Sequence, residues 1–586
     1  MRDVLGPDHL VRLWGAPEFE PRESPVGVGP WTAALRGGEL AHIRYRGIEL
    51  LRAIRVVVRD ENWGTIEPVV EATAANDGSI DLVVRHVCGE VDFEWRGGIR
   101  FRDDRVEFFF DGVARAEFLR NRIGFVVLHP LEDAGREFTV TTPGGERRDI
   151  RFPVEIAPHQ PARDIAALHW VRDQVAADLE FGGEIFETED QRNWTDASFK
   201  TYGTPLAIPF PVRIAVGDRV AQSVTLRARS VEGVVVPSGA SGTAAGRAVI
   251  TIGPPLSADW LLPAIGIGGV SLVELDLGSA GWREVLEAAV EAARGGSSAH
   301  VHRRASHPLD IRLVVSEGFD DLDTAVGAVV ESGATVALIG VFGSGHITTP
   351  SLWRELNDAI ARQGLRTDLV GGTRAHFTEL NRGVADLPPD LPALTFSITP
   401  QMHTVETEHV SDSIGAQRIV AENAMRLAAG RHVHIGPITL LPRFNAVATT
   451  PDAPVRSGDP RQHSEYLAAW TLASVAALAI PGVASLTYFS PDGPDGIRRA
   501  ADVDASPAGV LLERLLGLAG DTVCAVEGEL PDRLAVLAVR HGGALVVFVA
   551  NFGAEERTIE LRAGSQSCTL TVGAASCDEW ITLGGE

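Results

Sequence analysis

Lysine is nearly absent from this chain: of 53 basic residues, all but Lys200 are arginine. The planar guanidinium fork cannot imitate a compact ammonium, so a lysine kept against such a bias points to a place where its own shape matters. Cysteine is scarce too. Cys88, Cys524, Cys568 and Cys577 show no C-x-x-C spacing, which argues against a cysteine-built metal cluster or a disulfide framework. It fits a reducing compartment, so a cytoplasmic location is expected. Positive charge is outweighed, with a net charge of −25. That balance disfavours nucleic acid and anionic membranes as partners, yet leaves room for a small anion held by a local arginine. The opening MRDVLGPDHLVRLWG has no apolar core of the signal-peptide kind. The longest apolar run, 467–480, is too short to span a membrane and carries Thr471 and Ser474, so it reads as a buried helix. No G-x-S-x-G elbow, H-E-x-x-H helix or phosphate loop is present. His300-x-His302 and His432-x-His434 have ligand-like spacing but lie away from the first barrel strand. No metal and no cofactor is expected.

What is present is enough chain for several cores: 586 residues. Up to about 240 the sequence is mainly short runs rich in Val, Ile and Phe, such as 41–45, 54–59, 80–87, 106–110 and 125–128. Turn signals such as Asn76-Asp77-Gly78 and Pro143-Gly144-Gly145 separate them, the pattern of an antiparallel β-sandwich. One stretch, 162–177, reads as an amphipathic helix. From about 245 short apolar strands alternate with helical stretches. Eight strands are expected at 249–252, 271–277, 311–316, 335–342, 366–372, 394–399, 432–439 and 485–490. Helices are expected at 282–293, 322–332, 351–363, 416–429 and 464–480. Eight strands with helices between them over about 250 residues is the size of a (β/α)8 barrel. After 505 the strand pattern returns, with Asn551-Phe552-Gly553 as a hairpin signal. The expected organisation is therefore an N-terminal β-sandwich (1–240), a central (β/α)8 barrel (241–504) and a small C-terminal β-sandwich (505–586).

Barrel enzymes place their chemistry where the strands end at the C-terminal face. There the chain carries Glu379 and Asn381 after strand 5, His403 and Glu406 after strand 6, Asn445 after strand 7 and Tyr488 at strand 8. These can serve as acid, base and hydroxyl-binding groups. A second dense segment lies outside the barrel, at 187–202. Asp190, Arg192, Asn193, Trp194, Asp196 and Lys200 crowd together there, with Phe199 and Tyr202 among them. Aromatics that face a sugar ring, amides and acids that bind hydroxyls, and a cation for a carboxylate or lactone carbonyl make the grip expected for a polyol acid.

The segment 190–202, the prolines after it, Asn121-Arg122-Ile123-Gly124-Phe125 through His129-Pro130, and Pro158-His159-Gln160-Pro161 together resemble the D-apionate lactonase family. The resemblance runs through the whole chain in domain order. It implies hydrolysis of D-apionolactone to D-apionate in breakdown of the branched sugar apiose, with a small sugar lactone as ligand. Lactone hydrolysis needs a base for water, a donor for the tetrahedral oxyanion and an acid for the leaving hydroxyl. On the residues, Glu406 or Glu379 is the expected base, with His403 as acid/base partner. Lys200 or Arg192 is expected at the oxyanion or product carboxylate. Asp190, Asn193, Asp196, Asn381 and Asn445 are expected on hydroxyls, with Trp194 and Tyr488 completing the site. The competing idea is a glycoside hydrolase using Glu379 and Glu406. Retaining glycosidases hold two carboxylates about 5 Å apart, in the common barrel clan at strands 4 and 7. Here those strands end Gly343-Ser344-Gly345 and Pro437-Ile438-Thr439, without an acid. A site shared between the sandwich and the barrel is the expected outcome.

Overall fold

The structure is a computed structural model that describes residues 6–17, 23–231, 248–255, 257, 259–268, 270–294, 308–316, 321–450, 455–501 and 503–582. Two nine-stranded sheets built from the first 231 residues face each other. Their inner faces alternate apolar residues at period two, and Trp31, Phe93, Trp95, Phe108, Phe125 and Trp170 fill the space between them. The stretch 162–177 is not a helix. It forms the strands Ala162–Ile165, Ala167–Arg172 and Val175–Gly182. Leu168, Trp170 and Arg172 point inward while Val171 is exposed, which is a period of two. Asp173 and Gln174 both adopt positive φ, closing a two-residue hairpin between Arg172 and Val175.

The barrel is built from eight parallel strands: Ala264–Ile267, Leu272–Asp276, Leu309–Val314, Val336–Phe342, the pair Asp368–Leu369 and Gly371–His376, Ala393–Ile398, His432–Ile438 and Val483–Tyr488. The first pairs with the eighth, and a Gly268–Leu272 bridge joins the first to the second. Helices follow strands 2 to 8, including Trp282–Ala293, Pro350–Gln363, Thr407–Ala428 and Pro507–Leu516. Helix Glu465–Leu478 is apolar all round because it is covered all round: the barrel lies on one side and the C-terminal strands on the other. No helix among the described residues is long and apolar enough to cross a membrane.

One strand expectation needs correction. Residues 249–252 are not the first barrel strand. They lie in Ala248–Pro255, parallel to Arg557–Ala563 and antiparallel to Thr522–Glu527. A short apolar run carries no mark of which sheet it will join. The barrel count after it is unchanged, so Glu379 follows strand 5, and strands 4 and 7 end without acids. Asn551-Phe552-Gly553 is likewise not a hairpin. The strand before it, Ala544–Asn551, pairs with Leu534–His541 and Ser576–Thr582; the strand after it pairs elsewhere. The C-terminal strands form one seven-stranded sheet that includes Ala248–Pro255. His300 and His302 lie outside the described residues.

Candidate active site

Strands Phe186–Asp190 and Ser198–Tyr202 pair antiparallel and bring Glu189 opposite Lys200. Cross-strand partners share a face, and the Lys200 ammonium meets Glu189 Oε2 at 2.8 Å, over the Tyr202 ring. Burial lowers the Lys200 pKa against the pull of Glu189. Between the strands a single 3-10 turn, Gln191–Trp194, is capped by Asp190, which accepts from the Arg192 N–H. Thr195 then turns the chain with a positive φ and donates to the Thr399 carbonyl at 3.0 Å, so this corner of the sandwich docks on the end of barrel strand 6.

The corner carries Asp196 into the barrel. One carboxylate oxygen accepts from His403 Nδ1 at 2.5 Å and the other lies 3.0 Å from His409 Nε2. Asp196 is almost fully buried. Burial alone would raise its pKa, but the two imidazoles override that and hold it well below the usual carboxylate range. Burial lowers the His403 pKa to about 4, opposed by Asp196. The imidazole is therefore neutral at pH 7, with its Nδ1 proton directed to Asp196. Nε2 keeps its lone pair and has no hydrogen-bond partner among the described residues. Trp194 packs edge-on against the same ring at 5.3 Å.

His403 and Glu406 line a cavity of about 600 Å³ at the sandwich–barrel boundary. Glu39 and Arg55 enter from the sandwich, and Trp14 and Trp95 add aromatic wall. Glu406 Oε2 is buried with no hydrogen-bond partner, which leaves an acceptor waiting for a donor. Burial raises the Glu39 pKa; Arg55 and Arg36 oppose that and Glu406 adds to it. Further along the interface Arg36 bridges Glu23 and Glu408, and His42 Nε2 meets Glu408 at 2.7 Å. Glu23, His42 and Glu408 approach closely enough to hold a cation, and the Arg36 guanidinium already supplies one there.

The other expected site residues are placed as follows. Asp190 and Arg192 form a sealed bidentate pair at 2.8 and 2.7 Å, and the guanidinium also donates to the Pro153 and Val154 carbonyls. Both are almost fully buried, so neither is presented to a sugar. Asn193 and Asn381 bond to each other at 3.0 Å and to backbone carbonyls at Ala157 and Ile156. Asn445 donates to the Asn62 carbonyl, tying the loop after strand 7 to the sandwich. Tyr488 is on the outer wall of strand 8, its hydroxyl 2.9 Å from Ser474 on helix Glu465–Leu478, so it does not reach the barrel mouth. Glu379 accepts from the His376 N–H at 2.9 Å and caps the short helix Phe377–Gly383. Burial raises its pKa to about 7. It does not line the cavity that holds Glu406, so the pair needed for glycoside cleavage does not share that wall. His434 bonds Ser485 at 2.8 Å within the barrel wall.

Two groups of residues were not anticipated. One is the wall formed by Arg36, Glu39 and Arg55. Arginines at 52, 55 and 59 among the apolar residues of strand Ile48–Asp60 were the available signal, since charges inside a covered strand need partners. The other is a knot in the barrel, where Glu274 takes Arg374 at 2.8 Å and Arg443 at 2.7 Å, with the His346 and Phe444 rings packed against each other at a tilt beside them. Burial would raise Glu274, yet the two arginines lower it to about 2.

Residues 11–231 match the family model of the D-apionate lactonase N-terminal domain, and residues 267–520 match that of the D-apionate lactonase TIM barrel domain. The chain belongs to the D-apionate lactonase family. A D-apionate lactonase of Brucella anthropi is 26% identical over 605 aligned positions, which cover 94% of this chain and 96% of the relative. Among solved structures, a GH30 endoxylanase from Clostridium papyrosolvens C71 has 8% identity and a TM-score of 0.36, covering 57% of this chain and 99% of its own. A beta-arabinopyranosidase has 11% identity and a TM-score of 0.30, covering 96% and 99%. Scores this low carry no weight for fold or function.

Proposed function

We propose that this chain is a carboxylic-ester hydrolase that opens a sugar lactone, D-apionolactone to D-apionate, in the breakdown of apiose. Family membership supports the reaction, and the Asp196–His403 pair at the cavity edge carries the chemistry. His403 Nε2 takes a proton from water as the water oxygen bonds to the lactone carbonyl carbon. The tetrahedral intermediate then expels the ring oxygen. As that C–O bond breaks, the imidazolium returns the proton to the departing oxygen, leaving a hydroxy acid. Asp196 is a positioning residue: it fixes the tautomer that leaves Nε2 free and steadies the imidazolium. The unpartnered Glu406 Oε2 accepts from a substrate hydroxyl. Lys200 and Glu189 hold the corner that carries Asp196.

The proposed organisation is a sandwich, a barrel and a small C-terminal sandwich made by the single seven-stranded sheet closing over its own core, with the site between the first two. The proposed setting is the cytoplasm, in keeping with four free cysteines. No observation favours glycoside cleavage over this reading, because Glu379 is committed to a helix cap. The test is acid release from D-apionolactone and related aldonolactones by the full chain, beside aryl glycosides. Glycoside cleavage without lactone turnover overturns the proposal.

A further inference from the structure

We infer that Arg55 is the group that receives the negative charge of the reaction, binding the tetrahedral oxyanion and then the carboxylate of the released acid. The inference rests on the lactonase reading and assigns its missing electrophile. Arg55 comes from strand Ile48–Asp60 of the sandwich and lines the same cavity as His403 and Glu406. Its side chain is 16% exposed, yet among the described residues none of its nitrogens makes a hydrogen bond. Its nearest acids are loose: Glu39 at 3.4 Å and Glu406 at 4.0 Å. Arg55 Nε is buried without a partner.

The other cations near the site are occupied or exposed: Arg456, which also lines the cavity, is half exposed and pairs with Glu67 at 3.4 Å. Arg461 holds Asp459 with two bonds, at 2.9 and 2.7 Å. Arg36 is shared between Glu23 and Glu408. Arg192 is sealed on Asp190, and Lys200 on Glu189. A guanidinium presents its donors as a planar fork that fits an oxyanion or a carboxylate, and a buried one with no hydrogen bonds is a site lacking its ligand. A neutral lactone puts no charge there. Charge appears on the carbonyl oxygen only as the water oxygen bonds to carbon, so the interaction is stronger in the transition state than in the bound substrate. Around Arg55 the cavity offers unpartnered acceptors: Glu406 Oε2, Gln401 Oε1 and Thr65 Oγ1. A loosely paired cation flanked by unpartnered acceptors selects a small polyhydroxylated acid, and the transition state of its lactone, over a neutral sugar.

The test compares wild type, Arg55→Gln and Arg55→Lys for D-apionolactone turnover, and for inhibition by D-ribonate (a five-carbon sugar acid) and ribitol (its uncharged counterpart). Arg55→Gln is expected to lower kcat/KM by roughly 10²–10³-fold and to weaken D-ribonate inhibition by about 10- to 100-fold, with ribitol unaffected. Arg55→Lys keeps a charge between Glu39 and Glu406 and carries the same test should the glutamine variant fail to fold; its losses are smaller but in the same direction. If wild type turns over lactone and a folded variant matches it in both turnover and D-ribonate inhibition, the role of Arg55 is overturned and the lactonase reading stands. If wild type binds D-ribonate through Arg55 but hydrolyses no lactone, the lactonase reading fails and the anion site remains. If wild type neither binds D-ribonate nor turns over lactone, both fall.

Discussion

Asp196→Asn changes one atom of the carboxylate and should remove most of the activity while leaving the cavity intact. Asp196 accepts from His403 at 2.5 Å and from His409 at 3.0 Å, and does not itself line the cavity. An amide can present an acceptor to one imidazole only. Where its NH₂ faces His403, Nδ1 must accept, the ring proton moves to Nε2, and the base is gone. Loss of a positioned general base costs about 10²–10⁴ in rate, or roughly 3–5 kcal/mol of barrier at about 1.36 kcal/mol per decade. The loss should fall on kcat, with KM little changed. Asp196 also raises the His403 pKa, so whatever activity remains should lose its acid limb at a lower pH than wild type, whose limb is expected near pH 4. The assay is acid release followed by pH-stat, with a thermal melt to confirm folding. A folded variant within threefold of wild-type kcat, with the same pH profile, would refute the dyad.

Four further outcomes are expected. Glu379→Gln keeps an oxygen to cap helix Phe377–Gly383, so lactone turnover should stay within about threefold of wild type and stability within about 0.5 kcal/mol; loss of all activity would restore the carboxylate-pair reading. Lys200→Met leaves Glu189 buried beside an apolar chain and should cost about 3–5 kcal/mol in denaturant unfolding; unchanged stability with lost turnover would instead make Lys200 a reacting group. Burial lowers His129 and His376 to about 3 and His434 to about 4. Unfolding returns them to about 6.5, so below that pH the unfolded chain binds more protons. Each histidine should then cost about 1.4 kcal/mol of stability per pH unit down to its folded pKa, and a urea midpoint flat from pH 6.5 to 4 would contradict this. Asp412 takes Arg52 of the sandwich and Arg533 of the turn before strand Leu534–His541; Asp412→Ala should lower stability by about 3 kcal/mol, and an unchanged unfolding curve would dismiss it as a tie between domains.

The barrel was legible because its strands and helices alternate with distinct periods, and the helix starting at Trp282 is bounded as the pattern predicts. Residues 162–177 were misleading because Ile165, Leu168 and Val171 recur at helical spacing, while the deciding feature, two positive φ angles at Asp173 and Gln174, is not written in residue type. The dense segment 187–202 was visible as a cluster, and the structure docks it on barrel strand 6. Sequence alone did not separate the members of that cluster: Arg192 is consumed by Asp190 two residues away, whereas Asp196 finds partners more than 200 residues on. Arg55 and Glu39 were missed for the same reason. A charge in a strand shows that it needs a partner, not which one, and at Arg55 the acids are loose and Nε has no hydrogen-bond partner.

The most direct test of a lactone-opening site between sandwich and barrel is the rate at which full-length His403→Gln releases acid from D-apionolactone, relative to wild type. Wild-type turnover, with a loss of about 10³-fold or more in a folded variant, is the predicted result. Equal rates for the two proteins would contradict it.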